Sequence, residues 1–152
     1  MTIPTDARLI PYERHGIFFA WPDIWELQEQ TEGDDVVIFV SSKGTCFWTV
    51  RIIAAGPPPP QVVESCVDAF TEEYGECEVS SVDCLLAEMP AFARDVQFSC
   101  LDLLNTAALR SARTTDFTLL VWWQGTDSDL TDYQNLLEQM TGSVRIAGAA
   151  NE

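Results

Sequence analysis

The segment FTLLVWWQ, residues 117–124, places the strongest constraint on how this chain can fold. Apart from Thr118 and the closing Gln124 it is apolar at consecutive positions, and consecutive side chains of a strand leave on opposite faces. Such a strand must be covered on both sides, whereas an alternating strand can leave one face to water. Trp122 and Trp123, as neighbours, are expected to part to opposite faces and to serve packing rather than one stacking platform.

The elements around this segment do not alternate regularly. Strands are expected at 12–20, ending in the turn WPDIW, at 36–40 after the break TEGDD, and at 45–53. AAGPPPPQ, residues 54–61, is the only biased segment, and it reads as a stiff connector rather than a polyproline ligand. Pro60 suits the first turn of a helix. Val63, Cys66, Val67, Phe70 and Tyr74 would share one helical face, Glu64, Asp68 and Glu72 another, and Gly75 would end the helix. More strands are expected at 78–86, 96–104 and 109–113. A second helix is expected near SDLTDYQ, with Thr131 and Gln134 at capping-box spacing. Leu130, Tyr133, Leu137 and Met140 form its apolar side, and Asp127, Asp129 and Asp132 lie near its N-terminus, where the helix dipole favours negative charge.

Strands, helix, strands, helix is the order of an α+β protein. With the doubly apolar strand, it implies a largely antiparallel β-sheet covered by helices on both faces, an α/β/α sandwich. Residues 1–147 read as a single domain and 148–152 as a frayed C-terminal tail. At 152 residues and 47% hydrophobic content, the chain can build a core without disulfide staples. Its five cysteines are odd in number, and no two stand at CxxC spacing, so neither a disulfide framework nor a zinc ribbon is indicated. Reduced thiols and the absence of a signal-peptide pattern in the first residues point to the cytoplasm.

The 24 acidic residues outnumber the 8 basic ones, for a formal charge of −16. That balance argues against nucleic acid and anionic membrane as partners and for a basic protein surface. His15, the single histidine, has no thiol or hydroxyl placed beside it by the sequence, so it reads as a surface or turn residue. TDSDLTD lacks the glycine and distal glutamate of a calcium loop and is better explained as helix capping. Asp102, in the apparently buried run CLDLLN, is expected to need a partner such as Arg110 or Arg113. No catalytic residues, cofactor or metal are expected.

The stretch HGIFFAWPDIWEL, residues 15–27, together with the order of elements, resembles the PsbP/Mog-like superfamily. Its members often open with a Gly-aromatic strand running into a turn of the form yPdgW. Here that turn is Trp21-Pro22-Asp23-Ile24-Trp25, with Ile24 where glycine is common. The resemblance implies an α/β/α sandwich and a role in binding or assembly, as in photosystem II PsbP subunits, a Mog-type Ran-binding protein and chaperone-like adaptors.

The reading that follows is a non-enzymatic cytoplasmic protein-binding or assembly domain with an acidic surface. The residues expected to meet a basic partner are Glu64, Asp68, Glu72, Asp127, Asp129 and Asp132. One alternative is a small-molecule-binding domain with a pocket walled by Trp21, Trp25 and Trp48. Another is a chaperone-like adaptor that shelters an apolar segment of another protein.

Overall fold

The computed structural model describes residues 8–147. The frayed tail expected at 148–152, and the first seven residues of the stretch read for a signal peptide, lie outside the described residues.

The chain opens with β1 (Leu9–Arg14) and β2 (Ile17–Pro22). They are joined by the two-residue turn His15-Gly16, with φ of 57° and 82°. Two positive φ values in a two-residue loop suit the right-handed twist of the flanking strands. The expected strand at 12–20 is therefore two strands, and His15 marks the bend between them. Next come β3 (Glu26–Glu32), β4 (Asp35–Ser41) and β5 (Phe47–Ile53). The turn between β2 and β3 is closed by Trp25 N–H donating to Pro22 O at 3.0 Å. Ile24 is accepted there because its φ is not positive, and its side chain lies 51% exposed.

Pro58 precedes α1 (Pro59–Tyr74), whose first two positions are prolines that give up no hydrogen bond there. Gly75, at φ 81°, ends the helix as expected. β6 (Glu78–Ser81), β7 (Leu85–Leu86) and β8 (Met89–Pro90) follow, then β9 (Phe92–Cys100), β10 (Leu103–Arg113) and β11 (Thr118–Thr126). The last elements are α2 (Asp127–Gly142) and β12 (Arg145–Ile146).

Several expectations fail in this half of the chain. The strand expected at 78–86 breaks after Ser81 into β6 and β7, and the strand expected at 109–113 is the end of β10 rather than a separate element. The strand expected at 96–104 is interrupted by a tight turn at Leu101 and Asp102, with φ of 52° and 63°. Asp102 is thus an exposed hairpin residue, and it needs no buried partner. Arg110 instead pairs with Asp95 at 2.9 Å and lies 5.0 Å from the Trp123 ring centroid. A further correction concerns α2. It starts earlier than expected and is capped by Thr126, whose hydroxyl accepts from Asp129 N–H at 3.3 Å. Thr131 and Gln134 take no part in this cap: Thr131 donates back to Asp127 O, and Gln134 donates to Glu138.

Seven strands form one sheet in the order β3-β4-β5-β11-β10-β9-β6. β1, β2 and β12 make a small second sheet, and β7 with β8 a separate hairpin. Every strand pairing among the described residues is antiparallel. β11 lies inside the large sheet, and its residues alternate as its sequence demands. Leu119, Val121 and Trp123 join the larger core with Ile38, Val40, Trp48, Leu137 and Met140. Trp122 packs on the smaller core of Val63, Phe70, Val96, Phe98, Ala107 and Leu109.

The fold is therefore a mostly antiparallel β structure with two helices, but the expected cover of both faces by helices is incomplete. On one face α2 shares the task with the small sheet, which contributes Tyr12, Ile17 and Phe19. On the other face α1 lies against β9, β10 and β11. The β3–β5 half of that face is left as a flank beside the helix, and this asymmetry creates the candidate site.

Candidate functional site

Strand register identifies which side chains share the flank. Gln28 pairs with Phe39 and Gln30 with Val37. Phe39 pairs with Thr49 and Val37 with Arg51. Thr49 pairs with Trp122, Phe47 with Gln124, and Arg51 with Leu120. Directly paired residues of antiparallel strands stand on the same face, so these side chains form one continuous surface. Beside it α1 contributes Val62, Cys66, Ala69 and Glu73, which recur at helical spacing.

The result is a trough between helix and sheet. One cavity of about 410 Å³ is bounded by Phe47, Phe70, Tyr74 and Trp122. A second, of about 390 Å³, is bounded by Arg51, Gln61, Ser65 and Leu120. Cys66 and Trp122 line both, so the two are parts of one depression. A chain of ring contacts runs along its floor and out onto the open flank at Phe39. Phe39 stacks on Phe47 with centroids 5.0 Å apart. Phe47 meets Trp122 edge-on at 5.6 Å, and Trp122 meets Phe70 at 5.8 Å. Phe39, Phe47 and Trp122 are only partly buried, which is costly for large apolar rings unless something else covers them.

Polar groups in the trough are held in place. Arg51 lies 3.1 Å from Glu32 and 3.0 Å from Asp35, so its charge is matched within the fold. The Thr49 hydroxyl donates to Ile38 O, and Trp122 Nε1–H donates to Gln124 Oε1 at 3.1 Å. Burial pushes the Cys66 thiol pKa above its ordinary value, against a smaller opposing effect of Arg51, so it sits there as a neutral thiol.

The acidic residues singled out by sequence fall into two groups. Glu64, Asp68 and Glu72 are exposed on the outer side of α1. The N-terminus of α2 is different, because its acids are engaged in the fold. Asp129 accepts from both the backbone N–H and the hydroxyl of Thr45, at 2.9 and 2.6 Å. Those bonds hold its carboxyl below the usual carboxylate range. Asp127 accepts from the Thr106 hydroxyl at 2.9 Å. The two groups are not brought together: Glu64, Asp68 and Glu72 belong to the helix beside the trough, whereas α2 packs on the opposite face.

The tryptophans proposed as pocket walls do not enclose an open site. Trp48 is 0% exposed, and its indole N–H donates to Thr141 at 3.0 Å. Trp25 is buried edge-on to Tyr133, and Trp21 packs against the same core. The aromatic surface that is open lies on the other face, around Trp122. Sequence reasoning placed Trp122 opposite Trp123 but left its surroundings unread. The alternation of Glu26, Gln28, Gln30 and Glu32 along β3 is the signal that this face is partly wet.

His15 is 2.8 Å from Glu29, which also accepts from the Tyr12 hydroxyl and lies 3.6 Å from Arg14. The hydrogen bonds from Tyr12 and His15 lower the Glu29 pKa, while burial and Glu29 raise that of Tyr12. This cluster joins the first hairpin to strand β3. Among the described residues no group of three or more His, Cys, Asp and Glu is placed to hold a metal ion. No described helix is long and apolar enough to cross a membrane.

A fold of this kind recurs in solved structures. The cyanobacterial PsbP of Synechocystis sp. PCC 6803 matches with a TM-score of 0.54 over 96% of this chain and 98% of its own, at 13% identity. The fold is PsbP-like. Two other structures share it. LpqN of Mycobacterium tuberculosis, involved in cell envelope biogenesis, matches at TM-score 0.51 and 12% identity over 94% of this chain and 92% of its own. A Pseudomonas aeruginosa protein of unknown function matches at 0.53 and 13% over 86% and 92%. No family model and no curated protein sequence matches the chain. At these identities the shared property is the PsbP-like fold, which hosts the trough but does not assign it a task.

Proposed function

We propose that this chain is a non-catalytic protein-binding domain that docks a basic partner along the trough. The observation that carries the reading is the ring chain Phe39-Phe47-Trp122-Phe70, partly bare where α1 stops covering the sheet. Enclosed pockets suit small molecules because they bury most of the ligand, whereas an open trough suits side chains presented by a protein segment. The overall charge of −16, to which the outward-facing acids Glu64, Asp68 and Glu72 of α1 contribute, favours a cationic partner and discourages nucleic acid and anionic membrane.

The adaptor reading uses the same surface but needs no charge on the partner. Replacing Phe39 with the photoreactive p-benzoyl-phenylalanine and irradiating in native lysate separates the two. The expected result is an adduct with a basic protein that disappears in about 0.5 M salt, where screening reaches only a few ångströms. An adduct that survives high salt supports the adaptor, and no protein adduct at all removes the reading. Cytoplasmic location is part of the same proposal and is supported by the five free thiols. The tie to the cell envelope belongs to the Mycobacterium neighbour.

A further inference from the structure

We propose that the end of the trough beside the C-terminal half of α1 is a receptor for an ammonium group on an apolar stem, the form in which a basic partner's lysine-type side chain would anchor there. This rests on the trough as the docking surface and adds the chemistry of its deepest contact.

The cavity of about 410 Å³ has rings on both walls: Phe47 and Trp122 from the sheet, Phe70 and Tyr74 from the helix. Phe47 and Phe70 meet Trp122 at 69° and 77°, so the rings form corners rather than a flat stack. A corner offers a cation more than one ring at once, and the faces of aromatic rings carry negative potential. The only donor of the Trp122 indole is already taken by Gln124, so no polar demand from that ring competes for the ligand.

Among the residues that line this cavity, Glu73 alone is charged. It stands one helical turn beyond Ala69 and makes no ion pair among the described residues. Arg51, at the far end of the trough, does not repel a cation strongly because Glu32 and Asp35 already match its charge. An anionic ligand would face Glu73, and a neutral one would gain burial but no attraction to rings or carboxylate. The site therefore selects for positive charge joined to apolar bulk.

Choline and its uncharged carbon isostere 3,3-dimethylbutan-1-ol test this directly, because they share shape and differ in charge. Each is titrated into ¹⁵N-labelled protein while the indole N–H resonance of Trp122 is followed, assigned by its loss in Trp122→Phe. Choline is expected to move that resonance and to bind roughly tenfold more tightly than the alcohol. Glu73→Gln is expected to weaken choline by about threefold or more and to leave the alcohol unchanged. Equal affinity for the two probes, indifference to Glu73→Gln, or equal shifts at all five tryptophans would each overturn the inference. Choline needs no partner protein, so the two proposals fail separately. Binding of choline without a cross-linked protein removes the docking reading. A cross-linked basic protein with no choline response removes this one.

Discussion

At the scale of single residues, the tightest constraint is the approach of Gly125 in β11 to Cys46. A methyl group on Gly125 would lie 2.6 Å from Cys46 Sγ and 3.3 Å from its Cα. The first approach is far inside van der Waals range, and the second involves backbone that is itself fixed. Cys46 O accepts from Ser42 N–H and from the Ser42 hydroxyl. Gly125→Ala is expected to cost about 1–3 kcal/mol, measured by urea unfolding. Cys46→Ala in the same chain should restore part of that loss, because it removes the sulfur while the crowding against the backbone of residue 46 persists. The Cys46 thiol pKa is itself pushed up to about 12, chiefly by burial and further by Asp129 and Asp132, so it acts as a packing group.

At the scale of elements, legibility followed local signals. The helix at α1 was readable because its apolar and acidic stripes obey helical spacing and glycine marks its end. The central strand β11 was readable because a run apolar on both faces has few other uses. β3 was missed because ELQEQTE has Thr31 as its one strand-favouring residue; it is an edge strand held by pairing with β4. The β9–β10 turn was missed because it has Leu101 and Asp102 where Asn-Gly would announce a hairpin. The trough was illegible for a different reason. It depends on which half of the sheet α1 covers, and no local pattern encodes that choice. The same turn yields a prediction. Leu101 is 90% exposed, so its left-handed backbone is not offset by burial, whereas Ala87 in the β7–β8 turn packs on the core. Leu101→Asn is expected to raise stability by roughly 0.5–1 kcal/mol, seen as a higher Tm.

For the whole molecule, the excess of acids must act against compaction. Of the basic side chains, Arg14, Arg51, Arg110 and Arg145 already face carboxylates, and the remaining negative charge is unbalanced. Sodium chloride raised to about 0.5 M should therefore increase the Tm, because screening weakens long-range repulsion more than these short ion pairs. A fall in Tm with salt would mean that the specific pairs outweigh the net charge. The strand order carries a kinetic consequence. β3, β4 and β5 form a continuous meander, and so do β9, β10 and β11. They are joined where Ile53 meets Thr118, across all the chain between those residues. Each meander needs only short loops to form, but the seam between β5 and β11 must close a long one. The entropic barrier of that closure places the seam at the slow step of folding. Until it forms, the chain is two half-sheets with the edges of β5 and β11 open to misdirected pairing.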